Sequence, residues 1–158
     1  MRVECYQKVH DARETVGEIS LDFEARTRSR GKTVANNGSE VAWFLEQGEF
    51  LRDGESLVSE SDESFRVKAA PEPVSRVTSS DPLLLMRVAY HLGNRHVPLC
   101  VEKDYLLYQP DYVLDDMVKG LGAEVSQCEL PFQPEDGAYH SHERGGHSHS
   151  HEREDSHD

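Results

Sequence analysis

The chain has 158 residues, enough for one ordinary domain or two small ones with modest cores and too few for a large enzyme. Thirty acidic against 17 basic side chains give a formal net charge of -13, which repels nucleic-acid phosphates, and no Lys/Arg cluster interleaved with aromatics offsets that repulsion. The three cysteines, Cys5, Cys100 and Cys128, are far apart and form no C-x-x-C pair, which argues against a disulfide framework or a thiolate zinc site and fits a reducing compartment.

At the start, MRVECYQKVHDARE has no apolar signal core, and no stretch approaches the roughly 20 apolar residues of a membrane span, so the expected location is the cytoplasm with no membrane partner. Up to about Ala70 the pattern is short β-like runs, Glu18–Phe23, Val41–Leu45 and Ser64–Val67, with turn chemistry at Asn36-Asn37-Gly38 and Arg52-Asp53-Gly54. They predict a small β-rich domain over residues 1–72 that binds a peptide or protein partner. Nothing in it resembles a reactive centre: His10 stands alone, and Arg26, Arg28, Arg30 and Lys32 lack a glycine-rich phosphate cradle.

Ala70-Pro71-Glu72-Pro73 reads as a stiff break and the domain boundary. Beyond it, Val74–Val77 predicts a strand, and Ser80-Asp81-Pro82 predicts a capped helix start leading into LLLMRVAYHL, with Gly93 as the stop. Val97–Val101 and Tyr105–Tyr108 are strand candidates joined around Glu102-Lys103-Asp104. A second helix follows, capped by Asp111, with Val113, Leu114, Met117, Val118 and Leu121 as its apolar stripe and Gly122 as its end. Ala123–Leu130 is the last strand. The order β-α-β-β-α-β over residues 73–136 is that of a ferredoxin-like unit in an α+β chain, a fold that hosts many functions.

From Gly137 to Asp158 the composition changes: GAYHSHERGGHSHSHEREDSHD carries six of the nine histidines and five acidic residues, with no large apolar residue after Tyr139. Such a segment cannot bury a core, and a disordered His-rich tail is expected over residues 137–158. Imidazole is a preferred ligand of Ni, Cu and Zn, and His140, His142, His147, His149, His151 and His157 are all candidate metal ligands. A polar tail or a purification tag is the bland alternative, against which the interrupting Ser, Glu, Arg and Gly residues speak. The spacing does not select the metal, since copper leads the general affinity order with nickel and zinc close behind.

His96 falls between the Gly93 helix stop and the following strand, a junction that is usually accessible. Taken alone it reads as a capping or hydrogen-bonding residue, and His91 as structural. In a two-fold dimer, however, His96 meets its own copy and supplies two imidazoles.

His91–Leu99 (HLGNRHVPL), Tyr112–Met117 (YVLDDM), Pro131–Ala138 (PFQPEDGA) and the histidine-rich end together resemble the urease accessory protein UreE family over essentially the whole chain. The resemblance implies a nickel metallochaperone. It also implies a homodimer whose N-terminal β domain is like a chaperone peptide-binding domain and whose ferredoxin-like domain binds metal. It assigns His96 to a nickel site at the dimer interface and the tail histidines to additional capture; by the general affinity order, Zn²⁺ and Cu²⁺ are candidate competitors for the same imidazoles. Its partners would be urease apoprotein and the other accessory proteins, including a GTPase, for which this chain has no G-x-x-x-x-G-K-[ST] loop of its own. Some members carry histidines before the VLDDM-like helix, where this chain has Gln109-Pro110-Asp111-Tyr112; Asp111 is explained as the helix cap and Tyr112 as a packing residue.

Ligand imidazoles must be unprotonated, and free imidazole titrates near pH ~6.5, so affinity should fall steeply below about pH 6. A metal-dependent hydrolase would need a closed ligand triad and a general base. None is legible: H-E-x-x-H is absent, and no enzyme is expected. The other alternative is a histidine-rich buffer or sensor for Ni, Zn or Cu, which would depend on the tail alone.

Overall fold

The computed structural model describes residues 1–11 and 14–137. Among these the chain is mixed α+β, with two sheets and three helices. In the first half, the alternation of Val3 and Cys5 with exposed neighbours makes strand β1 (Arg2–Val9), whose Val3 and Cys5 side chains point into a core. It is followed by β2 (Gly17–Leu21), α1 (Phe23–Arg26), β3 (Arg30–Val34), β4 (Glu40–Phe44), β5 (Ser56–Ser59) and β6 (Ser64–Ala69), in the sheet order β2-β6-β5-β1-β4-β3. The β1–β4 and β2–β6 pairs are parallel and the others antiparallel. Ile19, Trp43, Leu57, Phe65 and Val67 fill the interior. Gly31 is required there, because a Cβ would lie 2.3 Å from the Trp43 ring.

Two of the three expected runs stand close to their predicted bounds, as β4 and β6. The run at Glu18–Phe23 stops at Leu21, because the Asp22 carboxylate accepts from Ala25 N at 2.9 Å and caps a helical turn that takes Phe23 with it. β1, β3 and β5 are strands that the sequence pattern does not predict.

The second half comprises β7 (Pro71–Thr78), α2 (Pro82–Asn94), β8 (Cys100–Val101), β9 (Leu106–Tyr108), α3 (Tyr112–Leu121) and β10 (Glu124–Pro131). Its sheet order is β10-β7-β9-β8, with every neighbour antiparallel. Pro71 and Pro73 do not break the chain. They open β7, which pairs with β10 continuously from Thr78↔Glu124 to Pro71↔Pro131. The prolines are tolerated because β9 reaches only Ser75–Val77, so their missing donors face no strand on that side.

Asp81 and Asp111 cap the two longer helices as expected, and Gly122 ends α3 at φ 104°. Gly93 does not end α2; the helix runs to Asn94. The strand expected at Val97–Val101 shortens to Cys100–Val101. In the α3 stripe Leu114 and Val118 are buried, whereas Val113 is 51% exposed. The helices cover one face of the sheet through Val77, Leu85, Val88, Leu92, Leu106 and Val118. On that face the buried Tyr108 hydroxyl donates to Asp115, and Gln127 Nε2 donates to Ser75 Oγ at 2.9 Å and to Asp115 Oδ2 at 3.0 Å. The opposite face, with Val74, Cys100, Leu107 and Phe132, meets Phe23 of α1, whose ring stands edge-on to Phe132 at 5.3 Å.

Candidate metal centre

α2 ends in a way that sets the direction of His96. Arg95 N donates to Leu92 O at 3.1 Å and His96 N to Gly93 O at 3.0 Å, while His96 itself turns left-handed at φ 56°. Glycine usually occupies such a position; among other residue types histidine is one of the more tolerant, and the cost is about 1–2 kcal/mol. The imidazole is exposed, just past the end of α2 where partial negative charge accumulates and favours a cation. Val97 and Leu99 beneath it join the core of the second sheet. The exposed ring at this helix end takes no part in packing the core.

Next to it is a cleft of about 480 Å³. Phe23, Thr27 and Phe50 contribute one wall from the first half of the chain, His96, Val97 and Pro98 the facing wall, and residues 133–137 the rest. Those last residues form a strap running from β10 across both halves. The Arg26 guanidinium, 1% exposed, donates to the Phe132 carbonyl, to Gln133 Oε1 at 2.8 Å and to Leu21 O at 3.2 Å. Gln133 Oε1 also accepts from Asp53 N at 3.0 Å, Glu135 N donates to Leu99 O at 2.7 Å, and Asp136 pairs with Arg52. Burial lowers the pKa of Arg26, while Glu72, Asp53 and Asp22 act to restore it. The strap ends at Gly137, on the rim of the cleft that holds His96.

Of the expected ligands, only His96 is described. His140, His142, His147, His149, His151 and His157 lie outside the described residues. Asp111 uses its carboxylate to accept from Val113 N and Leu114 N. Tyr112 does not pack as expected, being 80% exposed. His91 is exposed too and meets only the Tyr90 ring edge-on at 5.4 Å. Among the described residues no group of three or more His, Cys, Asp or Glu is placed to hold a metal ion. Cys5 and Cys100 are buried, and burial followed by the nearby Glu63 pushes the Cys5 thiol up to about 11. Among the described residues, the expected ligand set thus reduces to the single exposed imidazole of His96. No sequence pattern singles out Arg26, whose spacing matches that of the exposed Arg28, Arg30 and Lys32.

No helix among the described residues is long and apolar enough to cross a membrane. Comparison with known families matches residues 3–70 to the N-terminal domain, and residues 72–158 to the C-terminal domain, of the UreE urease accessory protein. Among curated proteins, the urease accessory protein UreE of Teredinibacter turnerae is 48% identical over 147 residues, covering 92% of this chain and 94% of the relative. That of Saccharophagus degradans is 51% identical over 122 residues, covering 77% and 73%. That of Pseudomonas putida is 49% identical over 130 residues, covering 82% and 78%.

Proposed function

The chain belongs to the UreE urease accessory protein family, and on that premise we propose that it is a metallochaperone, not an enzyme, that binds Ni²⁺ and delivers it for assembly of the urease active site. The observation that carries this reading is the placement of an exposed, left-handed His96 on the same cleft as Gly137, where the six-histidine segment begins. Imidazole nitrogens suit nickel, and Zn²⁺ and Cu²⁺ compete for the same donors. With one imidazole per chain, the tight site is shared by the two His96 residues of a homodimer, and tail imidazoles capture and relay the ion by ligand exchange. The exposed stripe Leu83, Met86 and Tyr90 on α2 supports such pairing, because it leads along the helix towards His96.

The domain division is read as 1–72, a partner-binding unit, 73–136, a ferredoxin-like metal-binding unit, and 137–158, the tail; the order β10-β7-β9-β8 supports the second. Work in the cytoplasm with urease apoprotein and the accessory GTPase completes the reading. The competing reading, a histidine-rich buffer or sensor, places all tight binding in the tail. Calorimetric nickel titration separates them. The chain truncated after Gly137 is expected to keep about one tight ion per dimer, and the truncated His96→Ala chain to lose it. Undiminished loading of the latter would overturn the proposal.

A further inference from the structure

Arg28, Arg30 and Lys32 crowd basic charge onto one stretch of a chain whose net charge is -13, and the metal reading makes no use of them. β3, which carries two of them, is an outer strand of the first sheet, hydrogen-bonded to β4 on one side only. Leu45 N donates to Ser29 O and Ala35 N to Ser39 O, both at 2.8 Å, so the bonded pairs of this ladder fall on positions 29, 31, 33 and 35. The N–H and C=O groups of Arg30, Lys32 and Val34 therefore point away from β4, and among the described residues no backbone group bonds them. Asn36, just past the strand, is tied to the opposite outer strand, β2: its N–H donates to Glu18 O at 3.0 Å and its Oδ1 accepts from Glu18 N at 2.8 Å. No such tie reaches Arg30, Lys32 or Val34, and there the edge stays open.

The side chains decide what this edge can take. Arg30, Lys32 and Val34 stand on the outer face of the sheet, exposed, with neighbouring positions on that face about 7 Å apart. Neither cation forms an ion pair among the described residues, whereas Arg28 is held by Glu24 at 2.9 Å. On the inner side Gly31 and Thr33 are half-buried, and the Trp43 ring lies against Gly31. Like charges oppose a second copy, because an antiparallel β3 in centred register sets Lys32 against Lys32 with an Arg30 diagonally on each side. Carboxylates at alternate positions of an added strand lie opposite both cations, and apolar side chains between them turn inward over Gly31 and Thr33.

We propose that β3 is the docking strand of the first sheet. Its occupant is an extended segment of a partner protein with carboxylates at alternate positions, added to the sheet edge by main-chain hydrogen bonds. This deepens, and rests on, the reading of residues 1–72 as a partner-binding unit. The cations serve twice: they keep copies of this edge apart and admit a strand of opposite charge. Because the chain as a whole is acidic, attraction is confined to this edge and is screened by salt.

The probe is the synthetic peptide acetyl-Thr-Val-Glu-Val-Glu-Val-Thr-amide. It is titrated into the full-length protein and followed by amide hydrogen exchange and by the fluorescence of Trp43, the sole tryptophan of the sequence. In the free protein Gly31 and Thr33 should exchange slowly and Arg30, Lys32 and Val34 fast, and the peptide should slow the last three. A twin with Lys in place of both Glu, and a twin N-methylated along its backbone, should each bind about tenfold more weakly. The double variant Arg30→Glu, Lys32→Glu should reverse the charge preference, a swap that loss of the fold cannot produce. If the peptide binds but slows other amides, or if the N-methylated twin binds as well as the parent, β3 is not the docking strand, although partner binding by this unit stands. Absence of binding at millimolar peptide overturns the proposal as well. So does slow exchange of Arg30, Lys32 and Val34 in the free protein, which assigns the edge to a second copy if dilution restores fast exchange and to the chain itself if it does not.

Discussion

Replacing Arg26 by Met should loosen the strap that sets where the chain leaves the fold. The guanidinium is 1% exposed and donates to Leu21 O, Gln133 Oε1 and the Phe132 carbonyl. Each hydrogen bond from a charged donor contributes about 1.5–3 kcal/mol, and each buried acceptor left without a partner costs about 1–3 kcal/mol. Against this, removing the charge recovers several kcal/mol of desolvation, and the Met side chain keeps part of the contact with Phe23. The balance is a loss of about 3 kcal/mol, a large fraction of the stability of a domain of this size. Arg26→Lys keeps the charge but not the forked geometry and should lose somewhat less. Urea unfolding gives the magnitude, and limited proteolysis within residues 132–137 reports the strap directly, with faster cleavage expected in Arg26→Met. A variant within 1 kcal/mol of the parent and equally resistant to cleavage would refute the assignment of the strap's anchorage to this residue.

Two further outcomes follow from the described geometry. At position 96 the left-handed backbone favours glycine, so His96→Gly should be more stable than His96→Ala by about 1 kcal/mol, with nickel loading reduced alike in both; an Ala variant that melts higher would contradict the reading of the helix end. The buried Cys5 thiol, pushed up to about 11 from 9.0, keeps its proton in the fold over a range where the unfolded chain has lost it. Its contribution is therefore complete below about pH 9 and is lost as pH rises through 11, a fall of about 2–3 kcal/mol that urea midpoints should show as a steeper decline than in Cys5→Ala. Parallel declines in the two proteins would remove the thiol from the account.

What could be read before the structure was local chemistry. Asp81-Pro82, Asp111 and Gly122 mark helix ends through bonds to residues two to four positions away, and they stand where the sequence puts them. Gly93 misled because the left-handed residue that ends α2 is His96, and no rule of composition prefers histidine to a nearby glycine. The first sheet was legible only in part. β1 finds its partners in β4 and β5, tens of residues away, and β3 carries Arg30, Gly31 and Lys32, which suit a strand only once Trp43 lies across Gly31. His96 was recognisable as an accessible junction. Its cleft was not, because Phe23, Thr27 and Phe50 reach it from the other half of the chain. Arg26 differs from its neighbouring cations by burial alone, a property that tertiary packing decides.

The strap also has a mechanical meaning. β10 runs antiparallel to β7 and ends at Pro131, so a pull from the carboxyl end would peel its rungs one at a time, the weakest way to load a ladder. The contacts of Phe132, Gln133, Glu135 and Asp136 lie in front of that first rung and would take the tension before the sheet does. They act as a strain relief on a cable, so that a pull arriving through Gly137 works against side chains and leaves the strands in register.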